Sequence, residues 1–179
     1  MADNPELRDE DLAHCTELVR EQATDYYLAD LLLAHPQRQA ALVLHAFHVE
    51  ITNIAMATSE PIAGEIRLQW WSDVLEGERA GEAKGNPLAR ALLAVMDLHN
   101  WPVLALQSKL DAHIFDLYRN PMESRTMLEG WCGETRSIMF QLVAMAGGAE
   151  ADTALADACG HAGVAMGITG VLENTALHR

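Results

Sequence analysis

Between residues 36 and 77, hydrophobic and polar positions follow a helical period, which predicts two long helices joined near Pro61. Pro36 and Pro61 can each occupy the first turn of a helix, where a missing backbone N–H costs nothing. The first helix has an apolar face whose residues are three and four positions apart: Ala40, Val43, Leu44, Phe47, Ile51 and Ile54. This spacing indicates a helix that packs in the interior of the protein.

The same helix carries a second, mostly polar stripe formed by His45, His48, Thr52 and Met56. A buried helix with a narrow polar stripe is expected to face a cavity or other polar groups, because unpaired polar groups are costly in an interior. The two histidines could ligate a metal together with Glu50 or His161. A metal site needs three or four converging ligands, however, so satisfied interior histidines are the favoured interpretation.

The second helix has two apolar sides, with Ile62, Ile66 and Trp70 on one and Leu68, Trp71 and Leu75 on the other. Adjacent residues of an α-helix lie about 100° apart, so Trp70 and Trp71 are predicted to face different neighbours. We expect the two helices to form an interior pair around which the other elements pack. For Arg67, an interior ion pair or helix cap and the recognition of an anionic headgroup both stay open.

The rest of the chain predicts further helices and no strands, so we expect an all-α fold in a single domain spanning residues 1–179. Residues 1–10 are expected to be frayed. The predicted helices cover residues 11–33 (with a break near Thr24), 87–98, 103–118, 123–145 and 151–177. Residues 77–86 are polar and rich in glycine, which indicates an exposed loop.

Two of these helices carry patterns of their own. In the helix at 103–118, the predicted inward face consists of Leu106, Leu110, Ile114 and Leu117. Asp111 and His113 fall outside that face.

The last helix has small residues at spacings of three and four: Gly160, Gly163, Gly167 and Gly170. Such a stripe lets either another helix or an elongated ligand approach the backbone closely, and both alternatives stay open.

The charge of the chain narrows the classes of partner. Its 26 acidic residues outnumber the 12 lysines and arginines, which gives a formal net charge of -14. Binding to nucleic acid requires clustered basic residues, and here they are scattered, so no nucleic-acid partner is expected. The same charge disfavours unaided binding to an anionic membrane surface.

Other sequence features indicate a location. The three cysteines, Cys15, Cys132 and Cys159, form no CxxC pair, so neither a disulfide framework nor a zinc site is expected. The N-terminus is acidic, unlike a secretory signal or a transit peptide. No apolar run reaches the length of about twenty residues that spans a bilayer, so no transmembrane segment is expected. These features favour a cytoplasmic protein.

Four segments of the chain together resemble the squalene/phytoene synthases: HAFHVEITNIAMATSEPIAGEIRLQWW, LDAHIFDLYRNPM, LEGWCGETRSIMFQL and GHAGVAMGITGVLENTALHR. The likeness runs from about Asp25 onward and is to an atypical branch of that family, which includes respiratory complex I assembly factors. It implies an all-α isoprenoid-synthase-like bundle around a central cavity, with further C-terminal helices expected beyond Arg179. A bundle without those helices would expose an apolar groove, so a homodimer or a partner surface is expected.

The resemblance also implies a catalytic chemistry, in which two DxxxD motifs bind Mg²⁺ ions that neutralise departing diphosphates. Aligned on AFHVEI, the first pair of aspartates falls at Thr52 and Met56; aligned on AGVAMGITGVLEN, the second pair falls at Asn174 and His178. None of the four is a carboxylate, so we predict no catalytic residue, no metal site and no cofactor. Other positions that we expect along the cavity are His48, Arg67, Trp70, Gly163, Gly167 and Gly170.

The resemblance leads to one leading hypothesis and two alternatives. The leading hypothesis is a non-catalytic protein that binds an apolar lipid or isoprenoid, or that assists a respiratory-complex subunit as an assembly factor. Such a protein is expected in the cytoplasm, peripheral to the inner membrane. The first alternative is a Mg²⁺-dependent prenyltransferase that condenses two isoprenyl diphosphates head to head, as a phytoene or squalene synthase does. The second is a structural oligomer without a ligand.

Overall fold

The computed structural model describes residues 6–58 and 60–177, with side chains described as far as Glu173. Every regular element in these residues is a helix, which confirms the all-α prediction. The helices fall into two compact units, Met1–Tyr118 and Arg119–Arg179. The expectation that the chain forms one domain stays a prediction.

The first unit is built around one central helix. Its described elements are α1 (Asp9–Gln22), α2 (Thr24–Asp30), α3 (His35–Ala57), α4 (Pro61–Glu76), α5 (Ala80–Ala83), α6 (Pro87–His99) and α7 (Val103–Tyr118). The central helix α3 contacts α1, α2, α4, α6 and α7. All its residues from Ala40 to Val49 are buried, as predicted for a helix that is apolar over most of its girth.

Prolines begin three of these helices, as predicted. Pro36 lies in the first turn of α3, Pro61 is the first residue of α4, and Pro87 is the first residue of α6. Asn86 caps α6, because its side chain accepts a hydrogen bond from the backbone N–H of Ala89 at 3.1 Å. Local sequence signals therefore fix where these helices begin.

Two predictions about α4 and the segment after it were wrong. The predicted loop at residues 77–86 contains the one-turn helix α5, which follows Gly77, the C-terminal cap of α4 at φ +86°. On α4, Ile62 and Ile66 are 70 % and 66 % exposed, so this helix is not interior on both sides. Only the side that carries Leu68 and Trp71 is buried. The sequence does not distinguish the two apolar sides of this helix, because the neighbouring helices decide which side is buried.

The buried face of α7 is also wider than predicted. Its three leucines are buried as expected, and Ile114 is half-buried. His113, which was placed outside this face, is buried, and so is Lys109. Lys109 lies three residues after Leu106 and four before His113, so all three belong to one helical stripe. The face was missed because two of its residues are polar.

The second unit packs its last helix against a helix that changes pitch. Its elements are α8 (Arg125–Cys132), a π-helical turn (Gly133–Ser137), α9 (Ile138–Ala146) and α10 (Thr153–Leu177). The first three follow one another directly and correspond to the single helix predicted over residues 123–145. Ser124 caps α8 by accepting a hydrogen bond from the backbone N–H of Met127 at 3.1 Å. α10 contacts α8, the π-helical turn and α9.

Two helices are long and apolar enough to cross a membrane, judged by length and composition alone: α3 and residues Thr153–Glu173 of α10. This corrects the expectation that no segment meets that criterion. The most apolar part of α3 is 72 % buried, whereas that of α10 is 17 % buried. Core helices of soluble proteins pass the same test, so the finding is only a weak indication of a membrane span.

Candidate functional site

The polar stripe of α3 changes from buried to exposed along the helix. His45 and His48 are buried, Thr52 is half-buried, and the side chain of Met56 is 72 % exposed. At its buried end, polar side chains of α2 and α7 meet the stripe within the first unit. We call the buried group the interior polar cluster; it consists of Asp30, His45, His48, Lys109 and His113.

Asp30 and His45 form a buried contact between α2 and α3. The Oδ2 atom of Asp30 lies 2.8 Å from Nδ1 of His45. An ionised carboxylate can only accept, so Nδ1 of His45 carries the hydrogen in this contact. The ring of Tyr26 lies beside the imidazole, with centroids 4.4 Å apart. The two polar groups thereby satisfy each other in the interior.

Lys109 joins α7 to the stripe of α3. Its side chain is fully buried, and Nζ lies 3.1 Å from Nδ1 of His48. An ammonium group has donors only, so a charged Lys109 requires this nitrogen of His48 to accept. The hydroxyl oxygen of Thr52 lies 3.5 Å from the same nitrogen. Thr52, one of the four predicted motif positions, therefore belongs to the edge of the cluster.

His113 extends the cluster along α7. Its ring lies 5.9 Å from that of His48, measured between centroids. Its Nδ1 atom lies 2.7 Å from Oδ2 of Asp116, which is half-buried. The cluster thus links α2, α3 and α7 and reaches the surface at Asp116.

The cluster suits internal hydrogen bonding better than metal binding. Within residues 6–58 and 60–173, no three His, Cys, Asp or Glu side chains converge in a way that could hold a metal ion. Glu50, considered as a partner of the two histidines, instead lies 3.6 Å from the guanidinium of Arg67.

Arg67 and Trp70 line a cavity of about 250 Å³ together with residues of α3 and the N-terminal cap of α6. Arg67 forms its ion pair with Glu50 at this cavity, but its side chain is 52 % exposed, so this is not the interior ion pair considered from the sequence. Trp70 donates its indole N–H to Oε2 of Glu82 at 2.8 Å, whereas Trp71 is buried in the core. The two tryptophans thus have different partners, but both line this cavity and their ring centroids lie 5.0 Å apart, so the prediction that they face different neighbours holds only in part. The cavity is small, and its charged lining groups pair with each other.

The glycines of α10 divide into two pairs. A Cβ atom added to Gly163 would lie 2.5 Å from Cα of Ser137. One added to Gly167 would overlap the sulfur of Cys132. A Cβ atom added to Gly160 or Gly170 would meet no atom within 4 Å. Close helix packing within the second unit therefore accounts for the central pair and not for the outer pair.

The second pair of predicted motif positions lies at the C-terminal end of the chain. His178 lies outside the described residues, and Asn174 lies in α10 with a side chain that is not described. The expectation that these two face Thr52 and Met56 across a cavity stays a prediction.

Asp30 and Lys109 are central to the cluster, and neither was singled out from the sequence. A signal existed for Lys109, because helical spacing places it on the same face as Leu106 and Leu110. For Asp30 no local pattern indicates burial, since its partner His45 is 15 residues away on another helix.

Comparisons with known proteins give relatives along nearly the whole chain. The chain is 30 % identical over 169 residues to "NADH dehydrogenase (ubiquinone) complex I, assembly factor 6" of Bos taurus and to that of Homo sapiens. Each match covers 92 % of this chain and 49 % of the relative. The protein of the same name from Rattus norvegicus is 28 % identical over 177 residues, covering 99 % of this chain and 53 % of its own. The chain thus spans about half the length of these relatives.

A solved structure supports the fold, and a family model supports the membership. The crystal structure of a dehydrosqualene synthase in complex with ligand matches with a TM-score of 0.65 and 20 % identity, over 76 % of this chain and 47 % of that one. This likeness confirms the predicted isoprenoid-synthase-like fold. The model of squalene/phytoene synthases matches residues 19–179. The chain therefore belongs to the squalene/phytoene synthase family.

Proposed function

We propose that this protein is a non-catalytic member of its family that assists the assembly of a respiratory NADH dehydrogenase. The observation that carries this proposal is that α3 has Thr52 and Met56, which are not carboxylates, at the two positions where the resemblance to the family implies aspartates. The relatives at about 30 % identity, named as complex I assembly factors, supply the proposed role. Because fold alone does not fix function, the role needs its own test.

The residues on α3 do not fit Mg²⁺. This ion prefers oxygen ligands in near-ideal octahedral geometry and is usually held through carboxylates. Thr52 offers one neutral hydroxyl, which already lies 3.5 Å from the imidazole nitrogen of His48. Met56 ends in a soft thioether, a poor ligand for a hard cation, and its side chain is 72 % exposed. We therefore assign no step of diphosphate chemistry to these positions.

The interior polar cluster supports a structural role for this part of the fold. Its five side chains are buried, and His45 and His48 contact polar groups of the protein itself, on Asp30 and Lys109. Hydrogen bonds between buried side chains of different helices help to hold those helices in a fixed arrangement. In this proposal the scaffold presents surfaces to another protein or holds an apolar lipid or isoprenoid. The expected location is the cytoplasm, at the membrane that carries the respiratory chain.

A biochemical assay tests the absence of catalysis. The purified chain is incubated with Mg²⁺ and farnesyl or geranylgeranyl diphosphate, and released diphosphate is measured beside a dehydrosqualene synthase as positive control. We expect release at the level of a protein-free blank. Mg²⁺-dependent release above that level would favour the head-to-head prenyltransferase instead.

A genetic experiment tests the assembly role separately. The gene is deleted in the host, and assembled NADH dehydrogenase is measured on native gels together with NADH-driven and succinate-driven respiration. We expect loss of the assembled complex and of NADH-driven respiration, with succinate-driven respiration retained and both defects restored by the intact gene. Normal NADH dehydrogenase in the deletion strain would refute the role, whatever the result of the diphosphate assay.

A further inference from the structure

A groove between α4 and α7 has an apolar floor and an exposed apolar wall. Leu68 and Leu110 form the buried floor, Ile66 forms a wall that is 66 % exposed, and Ile114 is half-buried opposite it. The groove encloses about 280 Å³. An apolar depression with a polar rim marks an interaction site more often than a single exposed apolar residue does.

The rim of this groove is acidic. The polar residues that line it are Glu65, Gln69, Ser72 and Asp111, and none of its lining residues is basic. Glu65 accepts a hydrogen bond from the hydroxyl of Tyr118, and Gln69 donates one to Asp73 at 2.7 Å. These bonds hold two rim side chains in place, while Asp111 is exposed to solvent. A partner therefore meets two carboxylates and no positive charge.

We propose that this groove binds an amphipathic helix of a partner protein, with leucine-like side chains on its apolar face and lysine or arginine beside them. The apolar side chains lie on Leu68 and Leu110 and against Ile66, and the basic side chains lie next to Glu65 and Asp111. Helices commonly bind in this way, with residues spaced three and four apart entering an apolar groove. The depression between two packed helices also follows the ridges of a third helix. This inference does not depend on the proposed assembly role.

The acidic rim favours a basic helix over the other possible occupants of the groove. A second copy of the chain carries the same net charge of -14, so its surface is repelled by the acidic rim. An anionic membrane surface is repelled for the same reason. A neutral lipid chain would bind the apolar floor but would gain nothing from Glu65 and Asp111.

The test uses the full chain and a synthetic amphipathic peptide of about 14 residues, with leucine at i, i+3, i+4 and i+7 and lysine on the flanking positions. Binding is followed by fluorescence anisotropy, and a peptide with glutamate in place of lysine serves as the matched probe. We expect the lysine peptide to bind at least about tenfold more tightly than the glutamate peptide, and binding to weaken as salt is raised.

Variants of the protein decide whether the groove is the site. Ile66→Ser and Asp111→Lys should each weaken binding of the lysine peptide by about tenfold or more. The controls, Leu104→Ser on an exposed residue of α7 outside the groove and Asp97→Lys on α6, should leave it unchanged. All four change exposed side chains, and thermal unfolding checks that each variant folds.

Several results would overturn the inference. One is absence of binding, and another is equal binding of the two peptides. Equal weakening by groove and control variants would mean that the peptide responds only to net charge. Self-association that Ile66→Ser abolishes in sedimentation experiments would assign the groove to a second copy. A fluorescent fatty acid that binds the groove and is not displaced by the lysine peptide would assign it to a lipid.

Discussion

The contact of α10 with the π-helical turn predicts that Gly163→Ala destabilises the second unit. A Cβ atom at this position would lie 2.5 Å from Cα of Ser137, whereas ordinary contacts begin near 3.4 Å. The obstructing atom belongs to the backbone, so no change of rotamer relieves the clash. The two helices would have to separate by about 1 Å, which loosens contacts along their whole crossing.

The expected magnitude comes from two opposing effects. Alanine is preferred over glycine inside a helix by about 1 kcal/mol, which favours the variant. Overpacking in a close-packed interior costs about 1–3 kcal/mol, and a backbone clash lies at the upper end of that range. We therefore expect Gly163→Ala to lower the free energy of unfolding by about 1–2 kcal/mol. Gly160→Ala on the same helix, where a Cβ meets nothing within 4 Å, should raise it by about 1 kcal/mol.

Hydrogen exchange measured by mass spectrometry reports the local stability of the second unit, because peptides from residues 125–177 belong to that unit alone. Gly163→Ala should speed exchange in α10 and in the π-helical turn, and Gly160→Ala should slow it or leave it unchanged. Urea unfolding of the full chain provides the free energies. If both variants prove equally stable, the helices are not as close at Gly163 as the structure shows, and the reasoning fails.

The remaining predictions concern the first unit. Asp30→Ala removes the buried partner of His45 and should cost about 1–3 kcal/mol in urea unfolding. The control Asp25→Ala removes an exposed carboxylate from the first turn of the same helix and should cost less, about 0.3–1 kcal/mol. Equal effects would contradict a special role for the buried pair. Burial, together with the charge of Asp11, raises the pKa of the Cys15 thiol to about 12, so this thiol should resist alkylation near neutral pH until the protein unfolds. Because that pKa lies above the unfolded value of 9.0, the folded state holds the proton longer, and stability should fall as pH rises from about 9 toward 12 in thermal melts. The pH part of this prediction would fail if Cys15→Ala left the slope of stability above pH 9 unchanged.

Local patterns were enough to predict the central part of the fold. The apolar period of α3 predicted its burial, and Pro61 and Pro87 fixed the starts of α4 and α6, because each signal lies within one or two turns of the element it determines. The π-helical turn was not predictable in this way. It interrupts a segment predicted as one α-helix. Apart from Gly133, the sequence has no helix-breaking residue at that point.

The candidate site was only partly predictable, for a different reason. His48 was singled out from the polar stripe, but its contact Lys109 lies 61 residues away, and a lysine in an amphipathic helix normally indicates a solvated face. The exposure of Ile66 likewise depends on which helices cover α4. The interest of Thr52 and Met56 came from the resemblance to a family, since no pattern in the chain itself implies an aspartate at either position.

The surroundings of Thr52 predict what happens when aspartates are placed at the two positions where the resemblance implies them. In the double variant Thr52→Asp/Met56→Asp, the carboxylate at position 52 would lie close to Nδ1 of His48, because the threonine hydroxyl is 3.5 Å from that nitrogen. The amino group of Lys109 lies 3.1 Å from the same nitrogen and can donate a hydrogen bond to a carboxylate there. The new carboxylate is therefore expected to pair inside the protein and to leave Mg²⁺ without this ligand.

We expect the double variant to release no diphosphate from farnesyl diphosphate and to show no heat of Mg²⁺ binding in calorimetry beyond that of Met56→Asp alone, the matched control. Met56 is exposed, so the single variant should fold like the unchanged chain. Mg²⁺-dependent diphosphate release by the double variant would contradict this reasoning, because it would mean that the fold still presents the rest of a working metal site. The inactivity that we propose would then depend on the side chains at positions 52 and 56 alone, and not on the contacts of His48 and Lys109 beside them.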